Sequence, residues 1–314
     1  MTVSVSSPRL VVADEVSDAI ASGRGVVALE STLISHGLPT VTSAETARRI
    51  EAAVRTGGAV PATVAAMDGT VRVGLSDDAL VRVAEGSHVV KTSVRDLGPV
   101  LSKGLTGATT VAATAYLAHR AGIRLFATGG LGGVHRKARD TWDESADLAA
   151  LAGTPVTVVC AGVKSILDVA ATLERLETLS IPVVGYATDT MPGFFVRDSG
   201  LPVPWRIDSV AEIADLMRCR DELSLRQALV VARPVDREDE MDGAVHDATV
   251  LRGLAEAERQ GVVGKDVTPF LLAWFHERSH GASLTANVAL VLANARLAAQ
   301  VAATVAEREE EREE

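Results

Sequence analysis

Two residues stand where an acid and an amine could act on one substrate. The segment Val26-Val27-Ala28-Leu29-Glu30-Ser31-Thr32 reads as a buried strand that ends at Glu30. In an open α/β sheet such strand ends mark the ligand crevice. A carboxyl emerging from apolar surroundings should have a raised pKa, which suits a proton donor, although a cap on the following segment explains the same residue equally well. In Val158-Val159-Cys160-Ala161-Gly162-Val163-Lys164-Ser165-Ile166-Leu167 a second strand ends, and Lys164 stands where a helix is expected to begin. The helix dipole and apolar neighbours would lower the pKa of that amine and free it as a nucleophile. A surface lysine on a loop is the plainer reading, and the apolar flanks disfavour it.

Three further segments could hold the rest of a substrate. Thr106-Gly107-Ala108-Thr109-Thr110-Val111 leads into an Ala-rich helix, whose first N–H groups and hydroxyls could seat a phosphate or simply cap the helix. Phe126-Ala127-Thr128-Gly129-Gly130-Leu131-Gly132-Gly133-Val134-His135 places four glycines in five positions after a strand, which favours a loop whose backbone approaches a ligand closely. It matches neither the P-loop nor the dinucleotide spacing. Asp140, Asp143, Glu144 and Asp147 follow. Asp143 and Asp147 would share one face if the segment were helical, offering oxygen to a hard cation such as Mg²⁺ or Mn²⁺, while helix-dipole preference alone explains an acidic start.

Such groups need a scaffold, and its period is readable. Strand-length apolar runs at 25–29, 62–67, 71–73, 123–128, 155–160 and 181–185 alternate with helical patterns at 43–56, 77–85, 110–121, 165–178 and 210–223. That alternation predicts a three-layer α/β/α sandwich on a mostly parallel sheet. The turn Asp68-Gly69-Thr70 predicts one hairpin, hence a mixed sheet. Helical spacing returns at 248–260 and 284–306, so the chain is read as one domain over 1–306 with a charged tail at 307–314.

Composition bounds the partners. The 314-residue chain is 47% hydrophobic but only 3% aromatic, so its core must be aliphatic. Its net charge is −10, and the tail's six Glu against two Arg account for four of those charges. With no dense basic patch, a nucleic-acid polymer is not expected, whereas a small anionic ligand is allowed. Cys160 and Cys219 are read as buried thiols, and no export signal or long uninterrupted apolar run argues for a membrane, so a cytoplasmic location is expected.

Taken in order, the segments resemble the pseudouridine-5′-phosphate glycosidase family, also labelled indigoidine synthase A-like. The likeness runs from Ala28-Leu29-Glu30-Ser31-Thr32 through His36-Gly37-Leu38-Pro39, Gly58-Ala59-Val60-Pro61-Ala62-Thr63 and Gly107-Ala108-Thr109-Thr110-Val111. It continues through the glycine-rich loop, the Lys164 segment, Arg197-Asp198-Ser199-Gly200, Gly264-Lys265-Asp266-Val267-Thr268-Pro269-Phe270 and Ala286-Asn287-Val288-Ala289-Leu290-Val291. The resemblance implies that Lys164 is the nucleophile, Glu30 the proton donor and Asp143 the ligand of one Mn²⁺. It also implies that Lys91, Val111 and Ser145-Ala146-Asp147 contact substrate, that His135 and Asn287 belong to the site, and that the assembly is a homotrimer. Two features depart from the family pattern: a single Arg95 before Asp96, and Thr40-Val41-Thr42-Ser43 in place of a more aromatic stretch. A Schiff-base aldolase acting on a sugar phosphate and a non-catalytic nucleotide-binding regulator are the alternatives.

Overall fold

The computed structural model describes residues 9–37, 40–262, 267–279 and 281–313. Leu38-Pro39 and Gly264-Lys265-Asp266, two pieces of the resemblance, lie outside the described residues. The strands are β1 (Leu10–Val12), β2 (Val26–Leu29), β3 (Val60–Met67), β4 (Thr70–Val73), β5 (Val90–Thr92), β6 (Gly107–Thr109), β7 (Leu125–Ala127), β8 (Thr157–Cys160), β9 (Val183–Tyr186), β10 (Trp205–Ile207) and β11 (Leu229–Ala232). The first helices are α1 (Asp14–Ala21), α2 (Thr32–His36), α3 (Thr40–Thr56), α4 (Asp77–Glu85), α5 (Leu97–Ser102) and α6 (Val111–Arg120). After them come α7 (Ala138–Thr141), α8 (Ala146–Leu151), α9 (Val169–Thr178), α10 (Val210–Glu222), α11 (Gly243–Arg259), α12 (Val267–Arg278) and α13 (Ala282–Glu313).

The sheet runs β1-β4-β3-β2-β7-β8-β11-β9-β10, with β6 attached to β3 and β5 to β6. Every pairing is parallel except β3 with β4 and β3 with β6. This is the expected mixed, mostly parallel sheet with helices on both sides. Strands β2, β3, β8 and β11 are buried at every position, as strands covered on both faces must be. The hairpin forms at Asp68-Gly69, both with positive φ (53° and 79°), the geometry of a two-residue turn that matches strand twist. β3 is long because it serves two neighbourhoods. Val60–Thr63 pairs with β2, and from Val64 onward the strand pairs with β4 and β6.

Three expectations need correction. The helix expected from residue 165 begins only at Val169, where the Asp168 carboxylate accepts the Ala171 N–H at 3.0 Å. Lys164 therefore stands in a loop, beyond the first turn over which a helix dipole acts. The charged tail is no separate appendage either: α13 continues to Glu313, Arg308 donates to the Ala211 carbonyl at 3.1 Å, and Glu309 pairs with Arg124. By length and composition α13 could cross a bilayer, but half of its apolar stretch is buried inside the protein, where it packs on α3, α10 and the sheet. Finally, Cys219 is exposed; only Cys160 is buried, and burial pushes its thiol up to about 12.

Candidate active site

Strand order reverses between β2 and β7, and a reversal of this kind leaves a crevice at the carboxyl ends of the strands. A cavity of about 310 Å³ lies there. Glu30 enters it directly after β2, Lys91 from β5 and Val111 at the start of α6. His135 comes from the loop after β7, Lys164 from the loop after β8, and Asn287 from α13. Asp143, Ser145, Ala146 and Asp147 form the wall at the start of α8. Each sequence candidate thus borders one cavity.

Glu30 is held through the residue that follows it and through its own carboxylate. The next residue, Ser31, donates to the Val64 carbonyl at 2.6 Å and accepts the Thr109 N–H at 2.8 Å, tying the end of β2 to β3 and β6. The Glu30 carboxylate does not cap α2; it accepts the hydroxyl of Thr128. Thr128 is itself held, since the Asn294 amide donates to its carbonyl at 2.9 Å. Burial raises the Glu30 pKa above the ordinary carboxylate range, with the nearby Lys164 charge and the Thr128 bond opposing the shift and the Asp147 charge adding to it. This agrees with the sequence expectation. Thr128 was hidden in the glycine-rich motif, where its only signal is being the first polar residue after a buried strand.

Lys164 is placed by loop-to-loop lacing. Its N–H donates to the Leu131 carbonyl at 3.0 Å, and the Leu131 N–H donates to Gly162 at 2.9 Å. Gly162 has φ +87°, and a Cβ there would lie 2.2 Å from the Pro192 carbonyl, so no other residue fits this turn. Arg136 secures the far side by donating to the Ser165 carbonyl at 3.1 Å.

The acidic segment is not the single helix face that spacing suggested. α7 ends at Thr141, Trp142 takes a left-handed φ of 57°, and α8 starts at Ala146, so Asp143 and Asp147 lie on different elements. Asp147 is 5% exposed, and its two oxygens accept the Ala112 and Gly132 N–H groups, each at 2.9 Å. The start of α6 is consequently served by protein, with Ala112 bonded to Asp147 and Ala113 to the Thr110 hydroxyl. At Ala112 and Ala113 the capping alternative holds, since both amides are bonded within the protein.

Asp143 remains beside the cavity, its carboxylate 3.7 Å from His135 Nδ1. Burial lowers the His135 pKa, as does Lys91, while Asp143 opposes them, so the ring tends toward its neutral form. Glu144 is tied to Arg175 at 2.9 Å. Among the described residues no cluster of three or more acidic, His or Cys side chains could hold a metal. One carboxylate on a roomy, polar wall fits a hard cation that keeps most of its water.

Fold and cavity together define an α/β enzyme that works on a small molecule at the carboxyl ends of its central strands. A family model described as indigoidine synthase A like protein matches residues 15–304, and the chain belongs to that family. It is 53% identical to the pseudouridine-5′-phosphate glycosidase of Salinispora tropica, over 94% of this chain and 91% of that protein. With the protein of that name from Glaesserella parasuis it shares 48% identity, over 93% and 97% of the two chains. Among solved structures it resembles a prealnumycin C-glycosynthase in complex with ribulose 5-phosphate, with a TM-score of 0.89 and 40% identity over 98% of this chain and 100% of that one. It also resembles an indigoidine synthase A-like protein from Thermotoga maritima, with a TM-score of 0.84 and 37% identity over 95% and 96%.

Proposed function

We propose that this chain is a pseudouridine-5′-phosphate glycosidase, which uses water to convert pseudouridine 5′-phosphate into uracil and ribose 5-phosphate. The observation that carries this reading is the acid with a raised pKa, Glu30, bordering the same cavity as Lys164 at the switch point of the sheet. Identity near one half with proteins of that name, over almost the whole chain, supports the substrate.

The chemistry explains why both groups are needed. Uracil attached through C5 cannot leave as a base does from nitrogen, because simple cleavage would strand an electron pair on carbon. The Lys164 amine bonds to C1′ as the bond from C1′ to the ring oxygen breaks, and Glu30 supplies the proton that the ring oxygen takes up. The attacking amine sheds one N–H proton as it bonds to C1′, and a proton is placed on C5 in exchange. The C1′–C5 bond breaks with its electron pair remaining in the base, and the lysine nitrogen lone pair closes onto C1′ as an iminium. Water hydrolyses that Schiff base, releasing ribose 5-phosphate and restoring the amine.

Lys91, Val111, Ser145, Ala146 and Asn287 surround this centre as the substrate-contacting set. Asp143 would hold Mn²⁺, which when bound supplies positive charge and ordered water for orienting base and sugar. A homotrimer completes the reading, and light scattering should return the mass of three chains. Incubation with pseudouridine 5′-phosphate and Mn²⁺ should release uracil. Turnover that instead splits a sugar phosphate into an aldehyde fragment would favour an aldolase. Chelation should stop the reaction and Asp143→Ala should mimic it; full activity of that variant in excess chelator would remove the metal.

A further inference from the structure

We infer that Asp147 is a positioning residue: its carboxylate latches the glycine-rich loop and the start of α6 onto α8, and so sets where Lys164 and Val111 stand. The family resemblance placed this residue among the substrate contacts. Its surroundings assign the carboxylate otherwise. One oxygen takes the Ala112 N–H and the other the Gly132 N–H, both at 2.9 Å, and the side chain is 5% exposed.

Each donor leads to a named part of the site. Ala112 follows Val111, so fixing its amide fixes the first residue of α6 against the cavity. Gly132 follows Leu131, whose carbonyl accepts the Lys164 N–H at 3.0 Å, so the latch reaches the lysine loop through one residue and one hydrogen bond. The approach is tight enough that a Cβ at Gly132 would lie 2.2 Å from Ser145 Oγ and 2.6 Å from Asp147 Oδ2. Ser145 closes the arrangement by accepting the Asp147 N–H at 3.2 Å. Three walls that come from distant parts of the chain are thereby joined at one carboxylate. Its charge also faces Glu30, alongside the cations Lys91 and Lys164, and favours the protonated acid.

The latch can be tested before any turnover is measured, which separates it from the proposed function on which the kinetic arm rests. Amide hydrogen exchange of the ligand-free wild-type protein should find Ala112 and Gly132 protected, with little change when ribose 5-phosphate is added. Rapid exchange of both in the free protein, with protection arising only on adding ribose 5-phosphate, would overturn the latch. In Asp147→Asn one oxygen becomes an amide that opposes a backbone N–H. The expected result is a fall in kcat of roughly 10²-fold with KM changed less than about threefold, the mark of misplaced groups. The limb on which activity falls with rising pH should also move to lower pH, because Glu30 ionises more readily without the neighbouring charge. A raised KM at unchanged kcat would make Asp147 a substrate ligand after all. Should Asp147→Asn not fold, exchange at the two wild-type amides decides the matter.

Discussion

The two sides of the cavity each enclose a carboxylate and treat it in opposite ways. On the β2 and β7 side, Glu30 has one hydroxyl donor, Thr128, set against burial, and the balance favours the protonated acid. On the α6 and α8 side, each oxygen of Asp147 has its own backbone donor. Burial by itself therefore does not make an acid chemically useful. The number of fixed donors that the fold aims at it separates a group that can give up a proton from one that holds the backbone together.

The largest effect should come from deleting the Lys164 amine, which borders the same cavity. Lys164→Ala should lower turnover by on the order of 10⁴-fold or more while leaving the fold intact. Borohydride in the presence of ribose 5-phosphate should label Lys164, and a label on a different lysine would sink the assignment. Glu30→Gln comes next, with a loss in kcat of roughly 10²-fold and substrate binding nearly unchanged. Normal turnover by that variant would leave the proton donor unidentified, with His135 the next residue to test.

Stability should divide the two acids by sign. The Glu30 pKa is raised on folding, so its protonated form favours the folded state below the ordinary carboxylate pKa, and that contribution is lost as pH rises through the raised value. Gln cannot ionise. Glu30→Gln should therefore gain Tm over the wild type as pH increases, whereas Asp147→Asn should lose about 1–3 kcal/mol of stability by leaving a buried N–H without an acceptor. Shifts of the same sign in both variants at pH 8 would dissolve the contrast. The smallest effect belongs to Thr128→Val, which removes the one bond favouring the ionised form of Glu30. Its high-pH limb should move further up, with kcat altered only about threefold, and a downward shift would contradict the role given to Thr128.

What sequence revealed follows from how local each feature is. The runs around β2, β7 and β8 are buried on both faces and read as apolar stretches ending at chemistry, so Glu30 and the glycine-rich loop were visible. β5 and β6 were not. Each is three residues long, and their pairing with each other and with β3 is what brings Lys91 and Val111 to the cavity. Lys164 was singled out on a helix start that lies elsewhere; its real support is the lacing to Leu131, a contact with no local sequence signal. Of the two readings of Asp147, the acidic helix start holds and the shared face with Asp143 does not. A spacing of four residues suggests a helix face, but its partner Ala112 is 35 residues away.

The long α13 gives the site an order of assembly. Its Asn294 bonds the Thr128 carbonyl across 166 residues, its Asn287 borders the cavity, and its Glu309 pairs with Arg124 across 185 residues. Contacts so distant along the chain close late and slow folding, because loop entropy is lost before they reward it. A nascent chain that has emerged through α10 already carries Glu30 and Lys164, yet the helix that steadies Thr128 behind Glu30 has not been made. Until α13 docks, Glu30 lacks the support that reaches it through Asn294 and Thr128, so the complete site waits on this helix.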